Sequence, residues 1–235
     1  MSIAERLRGV HAQIEDAARA SRRDPARVKL VAVSKTKPPE AIREAYAAGQ
    51  RAFGENYAQE LAAKSLALED LPDIEWHFIG HLQVNKAKVI AKHAHVVHTV
   101  DSTTLARELG RRASNDSRAS PLPVLVEVNV GGEPQKAGAT PSEIAEVMAA
   151  VGEQPTLALR GLMTVPPAGD LAMARRVFET LVSLRNLHGG ERALPELSIG
   201  MTADLDVAIA CGATIVRIGT AIFGPRDQNP GAFRR

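Results

Sequence analysis

Eight short apolar segments, each followed by a stretch of helical character, recur along nearly the whole chain of 235 residues. The segments are almost continuously apolar, so both faces of each strand are expected to be buried, as in a parallel sheet covered by helices. Eight strand-then-helix units predict an α/β fold of the closed (β/α)8 type, a TIM barrel. We place the strands at residues 28–34, 51–54, 75–79, 96–100, 124–130, 159–165, 197–199 and 214–218.

Helix signals lie between these strands and also before the first one. Apolar residues at helical spacing, beginning with Ile3 and Leu7, predict an extra amphipathic helix within residues 1–20. The segment from Thr140 to Glu143 combines a capping box with a proline, which predicts a helix that starts at Pro141. The other helices are expected near residues 39–48, 57–68, 84–93, 170–188 and 203–211, with one more around Leu105 and Leu109.

No change of composition along the chain marks a linker between domains. We therefore expect one domain over residues 1–235, with a short tail at 225–235 and no C-terminal β domain. An open, doubly wound sheet is the main alternative to the barrel. The sequence lacks the glycine fingerprint of dinucleotide-binding sheets, which favours the barrel.

The composition limits the classes of partner. With 29 Lys and Arg against 27 Asp and Glu, the chain lacks the basic footprint of a nucleic-acid binder. Charged residues near the N-terminus and the lack of a long apolar run argue against a secretory signal or a membrane span. The single cysteine, Cys211, excludes an intramolecular disulfide and is interpreted as a packed thiol. We expect a cytoplasmic monomer that binds neither nucleic acid nor membrane.

Two segments near the C-terminus have the composition of a phosphate site. The seventh strand leads into Gly200-Met201-Thr202, and the eighth leads into Gly219-Thr220. In TIM barrels the loops after these two strands often hold a phosphate through backbone N–H groups. Each segment alone also fits an ordinary helix cap or turn. Their joint position predicts a ligand with a phosphate group.

The first strand ends in a lysine that can react with a carbonyl group. Val31, Val33 and Lys35 share one face of the strand, which places Lys35 at the mouth of the barrel. Partial desolvation there favours the neutral amine, the form that condenses to a Schiff base. A strand-end lysine that reaches solvent is the alternative. Lys37 follows the strand end and is interpreted as an accessory or surface lysine.

The lysine and the phosphate loops predict one cofactor together. Pyridoxal 5′-phosphate (PLP) carries an aldehyde, which needs an amine, and a phosphate, which needs an anion site. A barrel mouth that holds both partners therefore predicts PLP.

Several groups of residues, spread in order over nearly the whole chain, form a specific combination. They are Val31 to Pro38, Phe53 to Tyr57, His77 to Gly80 with Leu82, Gln83, Asn85 and Lys86, Gly161 to Met163, Ser198 to Thr202 with Asp204, and Arg217 to Gly224. This combination resembles the YggS/PROSC-type pyridoxal phosphate homeostasis proteins. Two positions depart from the pattern: Thr202 stands where serine is more usual, and His81 occupies a variable position.

The resemblance implies PLP fold type III, the barrel of the alanine racemase N-terminal domain, with PLP bound as an internal aldimine on Lys35. It implies that Arg217 faces the pyridine nitrogen and that Asn56 neighbours the cofactor. Lys136 matches a family lysine that contacts or relays the cofactor, although an ordinary loop lysine fits equally well. The residues implied around the phosphate are Ser198, Gly200, Met201, Thr202, Gly219 and Thr220.

Three functions compete. The resemblance favours a non-catalytic protein that holds PLP for intracellular homeostasis, with delivery to PLP-dependent apoenzymes as an extension. A racemase or decarboxylase of fold type III is the alternative; Arg217 at the pyridine nitrogen would leave that nitrogen unprotonated and weaken the ring as an electron sink. A metal or nucleic-acid binder is the third, prompted by two groups of histidines and one of lysines: His93, His95 and His98; His77 and His81; and Lys86, Lys88 and Lys92. The histidines fit no zinc template, so we expect no metal.

Overall fold

Eight parallel strands form a closed barrel in chain order. The computed structural model describes residues 1–114, 119–133 and 136–225. The strands are β1 (Lys29–Val33), β2 (Ala52–Glu55), β3 (Glu75–Phe78), β4 (Val96–Val100), β5 (Leu122–Glu127), β6 (Leu157–Met163), β7 (Glu196–Ser198) and β8 (Ile215–Ile218). Because β1 pairs with β2 on one side and β8 on the other, the predicted TIM barrel is confirmed and the open sheet is wrong.

Helices follow the strands and enclose the barrel. They are α1 (Ile3–Ala20), α2 (Pro39–Ala47), α3 (Ala58–Ala67), α4 (Ala87–His93), α5 (Thr103–Ala113), α6 (Ile144–Gly152), α7 (Leu171–Leu187), α8 (Gly190–Ala193), α9 (Leu205–Ala210) and α10 (Thr220–Phe223). The helix expected at 84–93 begins with a 3-10 turn, Val84–Lys86. Within the described ranges, no helix has both the length and the apolar character needed to cross a bilayer.

The predicted N-terminal helix α1 is present and packs on the barrel, and it begins with a capping box. The Ser2 hydroxyl accepts the N–H of Glu5, and the Glu5 carboxylate accepts the N–H of Ser2, a complete capping box. Its apolar stripe, which includes Leu7, is buried against α2, α9 and α10. Arg6 donates a 2.7 Å hydrogen bond to the carbonyl of Ile222. This helix therefore braces the segment that follows β8.

Two predicted boundaries are wrong around the fifth strand. The strand was expected to reach residue 130 but ends at Glu127, because the N–H of Asn129 bonds to the carbonyl of Ala139 and not to β6. The following helix begins at Ile144 and not at Pro141. The Thr140 hydroxyl lies 2.8 Å from a Glu143 carboxylate oxygen and donates to it, so it does not cap a backbone N–H. Of the predicted tail, residues 226–235 lie outside the described residues.

The apolar core is a ring between the outer faces of the strands and the helices. Phe53, Phe78 and Phe178 are among its largest fully buried side chains. In this packed ring, β6 and β7 approach so closely that a Cβ added to Gly161 would lie 1.8 Å from the carbonyl oxygen of Glu196. Glycine is therefore required at this point of the barrel wall.

We expect Gly161→Ala to lower the free energy of unfolding by about 1–3 kcal/mol, because the added methyl group must displace the backbone of β7. Urea unfolding followed by circular dichroism measures this change. Gly152→Ala, at the end of α6, is the matched control, since an added Cβ there meets nothing within 4 Å. Equal stability of the two variants would contradict the close approach.

Candidate functional site

The C-terminal ends of the strands form one rim of the barrel, where active sites of this fold are found. The loop after β8 abuts β1, since a Cβ added to Gly219 would lie 3.1 Å from the carbonyl oxygen of Val33. The loop after β7 abuts β8, because the N–H of Arg217 donates to the carbonyl of Gly200 at 3.0 Å. Lys35 follows Val33 by two residues. The lysine turn and the two glycine loops are therefore neighbours on the rim.

Two lysines follow β1 and differ in their surroundings. Lys35 is half-buried at the rim. Lys37 is buried, and its Nζ donates a 2.8 Å hydrogen bond to the carbonyl of Pro225, so Lys37 is not the surface lysine that its position after the strand suggested. Thr36, between them, has a φ of 64°. This left-handed conformation is uncommon for a β-branched residue and turns the chain away from the strand direction.

Three buried charges contact this turn. Lys64, in α3, has its Nζ 2.7 Å from a carboxylate oxygen of Glu55 and 2.7 Å from one of Glu60. We call these residues the Glu55–Glu60–Lys64 cluster; the two carboxylates are 0% exposed and the lysine is 1% exposed. Burial raises the pKa of Glu55 to about 7, against the opposing effect of Lys64. Hydrogen bonds join the cluster to Ser34 and Thr36.

The loops after β7 and β8 present unbonded N–H groups. Gly200 has a φ of 97°, and a Cβ there would lie 2.5 Å from a side chain of α9, so this turn requires glycine. The N–H of Met201 donates to the carboxylate of Asp204 at 2.5 Å. Across the described ranges, the N–H groups of Thr202 and Thr220 donate no hydrogen bond, and both residues are exposed. The two loops therefore offer donors and hydroxyl groups to an anion.

Arg217 lies in the barrel interior, held by carbonyl and hydroxyl oxygens. Its Nη1 donates to the carbonyl and to the hydroxyl of Ser198, each at 2.6 Å, and its Nη2 donates to the carbonyl of Thr164 at 3.1 Å. Burial lowers the pKa of Arg217 to about 10, and Glu127 opposes the shift, so the side chain stays cationic at neutral pH. A guanidinium has five N–H donors, so donors remain beyond these three contacts.

Two histidines extend this chain of hydrogen bonds across the interior. His98, in β4, lies 2.8 Å from the hydroxyl of Ser198 and 2.8 Å from the ring of His77, in β3. Burial lowers the pKa of His98 well below its ordinary value, so the ring is neutral. His77 lies 3.4 Å from Glu75, which is paired with Lys29. In the part of the chain that is described, no group of three or more metal-ligating side chains is placed to hold an ion.

A cleft of about 130 Å³ opens where β5 and β6 end. Lys136 lines it and lies 2.6 Å from a carboxylate oxygen of Glu133, so this lysine is ion-paired within its own loop. Glu127 also lines the cleft. Burial raises the pKa of Glu127 to about 7, Asp101 raises it further, and Arg217 lowers it.

The structure brings the predicted site residues to the same end of the barrel, with one unexpected placement. The hydroxyl of Ser198 contacts Arg217 and His98 and so lies inside the barrel, away from the exposed loops. The Oδ1 atom of Asn56, just after β2, is buried and has no hydrogen-bond partner among the described residues. A buried acceptor in this state is suited to a ligand.

Sequence reasoning missed the Glu55–Glu60–Lys64 cluster. A signal was present, because Glu60 and Lys64 stand four residues apart on a predicted helix, the spacing of a helical ion pair. That spacing normally marks an exposed pair. Its burial depends on contact between α3 and the turn after β1, which no local pattern indicates.

The geometry accords with the comparisons to known proteins. The profile of the family "Alanine racemase, N-terminal domain" matches residues 9–227. A pyridoxal phosphate homeostasis protein of Pseudomonas aeruginosa is 48% identical over 232 residues, which cover 98% of this chain and 99% of that protein. Two structures of PipY from Synechococcus elongatus, without and with PLP, are 39% and 38% identical, with TM-scores of 0.85 and 0.82; each match covers 95% of this chain and 100% of that one.

The closed parallel barrel, with a lysine after its first strand and glycine turns after its last two, defines a barrel protein of the alanine racemase N-terminal domain class. The 48% identity to the Pseudomonas relative, over nearly the whole length of both chains, identifies the family within that class. The chain belongs to the family of pyridoxal phosphate homeostasis proteins.

We expect the stability of this barrel to depend on pH through Glu127. Its pKa in the folded protein, about 7, lies above the ordinary value of 4.5, so between these values the folded state binds more protons than the unfolded state. The stability from this group is therefore fully present below pH 4.5 and is lost as the pH rises through 7. Glu127→Gln should reduce this fall in the free energy of unfolding, measured by urea unfolding across that window.

The control for this prediction is Glu146→Gln, which removes an exposed carboxylate from α6. It should leave the fall in stability between pH 4.5 and 7 as it is in the unsubstituted protein. If Glu127→Gln behaves like this control, Glu127 does not bind the extra proton.

Proposed function

We propose that this chain is a non-catalytic protein of intracellular PLP homeostasis and that Lys35 holds PLP as a Schiff base. One observation carries the proposal: the lysine turn lies on the same rim as two loops that each have an N–H group without an acceptor in the described part of the chain. The name of the Pseudomonas relative and the PLP in a PipY structure support the same ligand. When bound, PLP supplies an aldehyde that condenses with a primary amine and releases water.

The loops after β7 and β8 are suited to the phosphate of this cofactor. Thr202 and Thr220 are exposed, and each carries a hydroxyl group and an N–H that has no acceptor among the described residues. The turns at Gly200 and Gly219 would give an anion access to the backbone. Met201 follows Gly200 in the first of these two loops. Backbone donors that converge at such turns favour an anion. The Ser198 hydroxyl accepts a hydrogen bond from Arg217. We propose that Ser198 contributes to the same site by orienting Arg217.

At the other end of the ligand, we propose that Arg217 faces the pyridine nitrogen and that Asn56 lies beside the ring. The contacts with Ser198 and Thr164 fix the direction of the guanidinium. An arginine stays protonated and only donates, so its partner nitrogen remains an unprotonated acceptor. Asn56 offers a buried acceptor atom.

The choice between the two lysines after β1 follows from their surroundings. The amine of Lys37 donates to the carbonyl of Pro225, and this contact holds the side chain against the end of the barrel. Lys35, on the face shared with Val31 and Val33, is therefore the proposed partner of PLP.

The remaining parts of the proposal concern the protein as a whole. We propose one PLP-binding domain over residues 1–235, a monomeric state and a cytoplasmic location. PLP-dependent apoenzymes are the proposed recipients of the cofactor. The single cysteine supports the proposed cytoplasmic location, because thiols stay reduced there.

A racemase-like enzyme is the second candidate, because the matching family profile carries the name of alanine racemase. Arg217 at the pyridine nitrogen would make the ring a weaker electron sink for a carbanion, which slows such chemistry without excluding it. The homeostasis name of the relative that matches over its full length supports the first candidate.

We expect the purified protein, mixed with PLP, to show an imine absorption band that is lost in Lys35→Ala. Lys37→Arg is the matched control, because arginine keeps a donor for Pro225 and should keep the band. Borohydride reduction followed by mass spectrometry should place the PLP mass on the peptide that contains Lys35. A label on another lysine, with Lys35 unmodified, would overturn the assignment.

We further expect no turnover of amino acids by the PLP-loaded protein. A panel of L-amino acids is incubated with it, and racemisation and decarboxylation are measured by chiral chromatography and carbon dioxide release. Substantial turnover of any substrate, lost in Lys35→Ala, would favour the enzyme over the carrier.

A further inference from the structure

The Glu55–Glu60–Lys64 cluster is bonded to the backbone on both sides of Lys35. The carboxylate of Glu60 accepts the N–H of Thr36 at 2.6 Å, and the Nζ of Lys64 donates to the carbonyl of Ser34 at 2.7 Å. The hydroxyl of Ser34 donates to Glu55 at 2.6 Å. The residues that flank Lys35 are thus both anchored to one group of charges from β2 and α3.

These anchors act where the backbone is strained. Thr36 is one of two described non-glycine residues with a positive φ, and the surrounding structure must compensate for the cost of that conformation. A charged acceptor makes a shorter and stronger hydrogen bond than a neutral one. The bond from Thr36 to Glu60 therefore holds the chain in the turn that carries Lys35.

Stability alone is a poor explanation for these buried charges. The cluster places two carboxylates and one ammonium where the side chains are at most 1% exposed. Removing such groups from water is costly, and apolar side chains of similar volume often stabilise a core as well or better. One oxygen of Glu55 and one of Glu60 are also buried without a partner in the described part of the chain. The cluster therefore needs a reason other than packing.

We propose that the Glu55–Glu60–Lys64 cluster is a set of positioning residues that fixes the turn at Ser34 and Thr36, so that the amine of Lys35 is held at the rim for the PLP aldehyde. The inference rests on the function proposed above. The cluster touches the backbone around Lys35, while the phosphate loops and Arg217 lie on other strands. Its effect should therefore appear in the rate and the site of Schiff base formation and not in phosphate recognition.

The test compares three single variants with the unsubstituted full chain. Glu60→Ala removes the acceptor of the Thr36 N–H and leaves Lys64 paired with Glu55, so no buried charge loses its only partner. Glu60→Gln keeps a carbonyl oxygen at the same place. Leu61→Ala is the matched control, because it removes a fully buried apolar side chain from the same helix and leaves all three residues of the cluster in place.

Misplacement of a reacting group by about 1 Å can cost about a hundredfold in rate. We expect Glu60→Ala to slow the appearance of the imine band by about tenfold or more, and Glu60→Gln to restore most of the rate. Leu61→Ala should lower the melting temperature and leave the rate within about twofold of the unsubstituted protein. In the cofactor-free protein, Glu60→Ala should also speed hydrogen exchange of the Thr36 amide relative to the amides of β1.

An unchanged rate and label in folded Glu60→Ala, or equal slowing in Leu61→Ala, would overturn the positioning role. If Glu60→Gln is as slow as Glu60→Ala, the hydrogen bond to Thr36 is not the cause and the inference is wrong. Failure of the proposed function looks different, because the unsubstituted protein would then form no imine with PLP at all. Dissociation of inorganic phosphate from the variants should be the same as from the unsubstituted protein, and a change there would place the cluster at the anion site.

Discussion

Hydrogen bonding between the first and the last strand is the constraint on which the rest of the structure depends. β1 pairs with β8 over the register from Lys29 with Ile215 to Ala32 with Ile218. An open sheet would leave both strands as edges, with their backbone groups unpaired. Closure removes these edges and sets the turn after Val33 against Gly219. Residues from opposite ends of the chain thereby become neighbours at one rim, where the lysine turn meets the glycine loops after β7 and β8.

The barrel interior is unusual in the continuity of its polar groups. From Arg217 the contacts pass to Ser198, then to His98 and His77. Because a buried polar group without a partner is costly, each side chain in such a chain fixes the orientation of the next. The direction of Arg217 is therefore decided by side chains and carbonyls from other strands of the barrel. The fold is stabilised by the apolar surface that is buried in the outer ring between strands and helices.

Local patterns predicted most of the fold and part of the site. The strand and helix order, the N-terminal helix and the rim position of Lys35 follow from periodicity and strand parity, which depend on residues close in sequence. The end of β5 could not be predicted, because the N–H of Asn129 donates to the carbonyl of Ala139 and not to a neighbouring strand. The predicted start of α6 was wrong for a similar reason. The Thr140 hydroxyl donates to the carboxylate of Glu143 and so does not cap the helix at Pro141.

By itself, the sequence determined the eightfold alternation, the position of a lysine after the first strand and the glycine turns after the last two. These features are local, since a strand, a cap or a left-handed turn depends on a few adjacent residues. Only the tertiary structure decided which charges are buried and with what partners: Lys64 with the two carboxylates, Lys37 with Pro225, and Arg217 with Ser198. The physical reason is that the partner of a buried charge is set by barrel closure and helix packing, which join residues far apart in the chain.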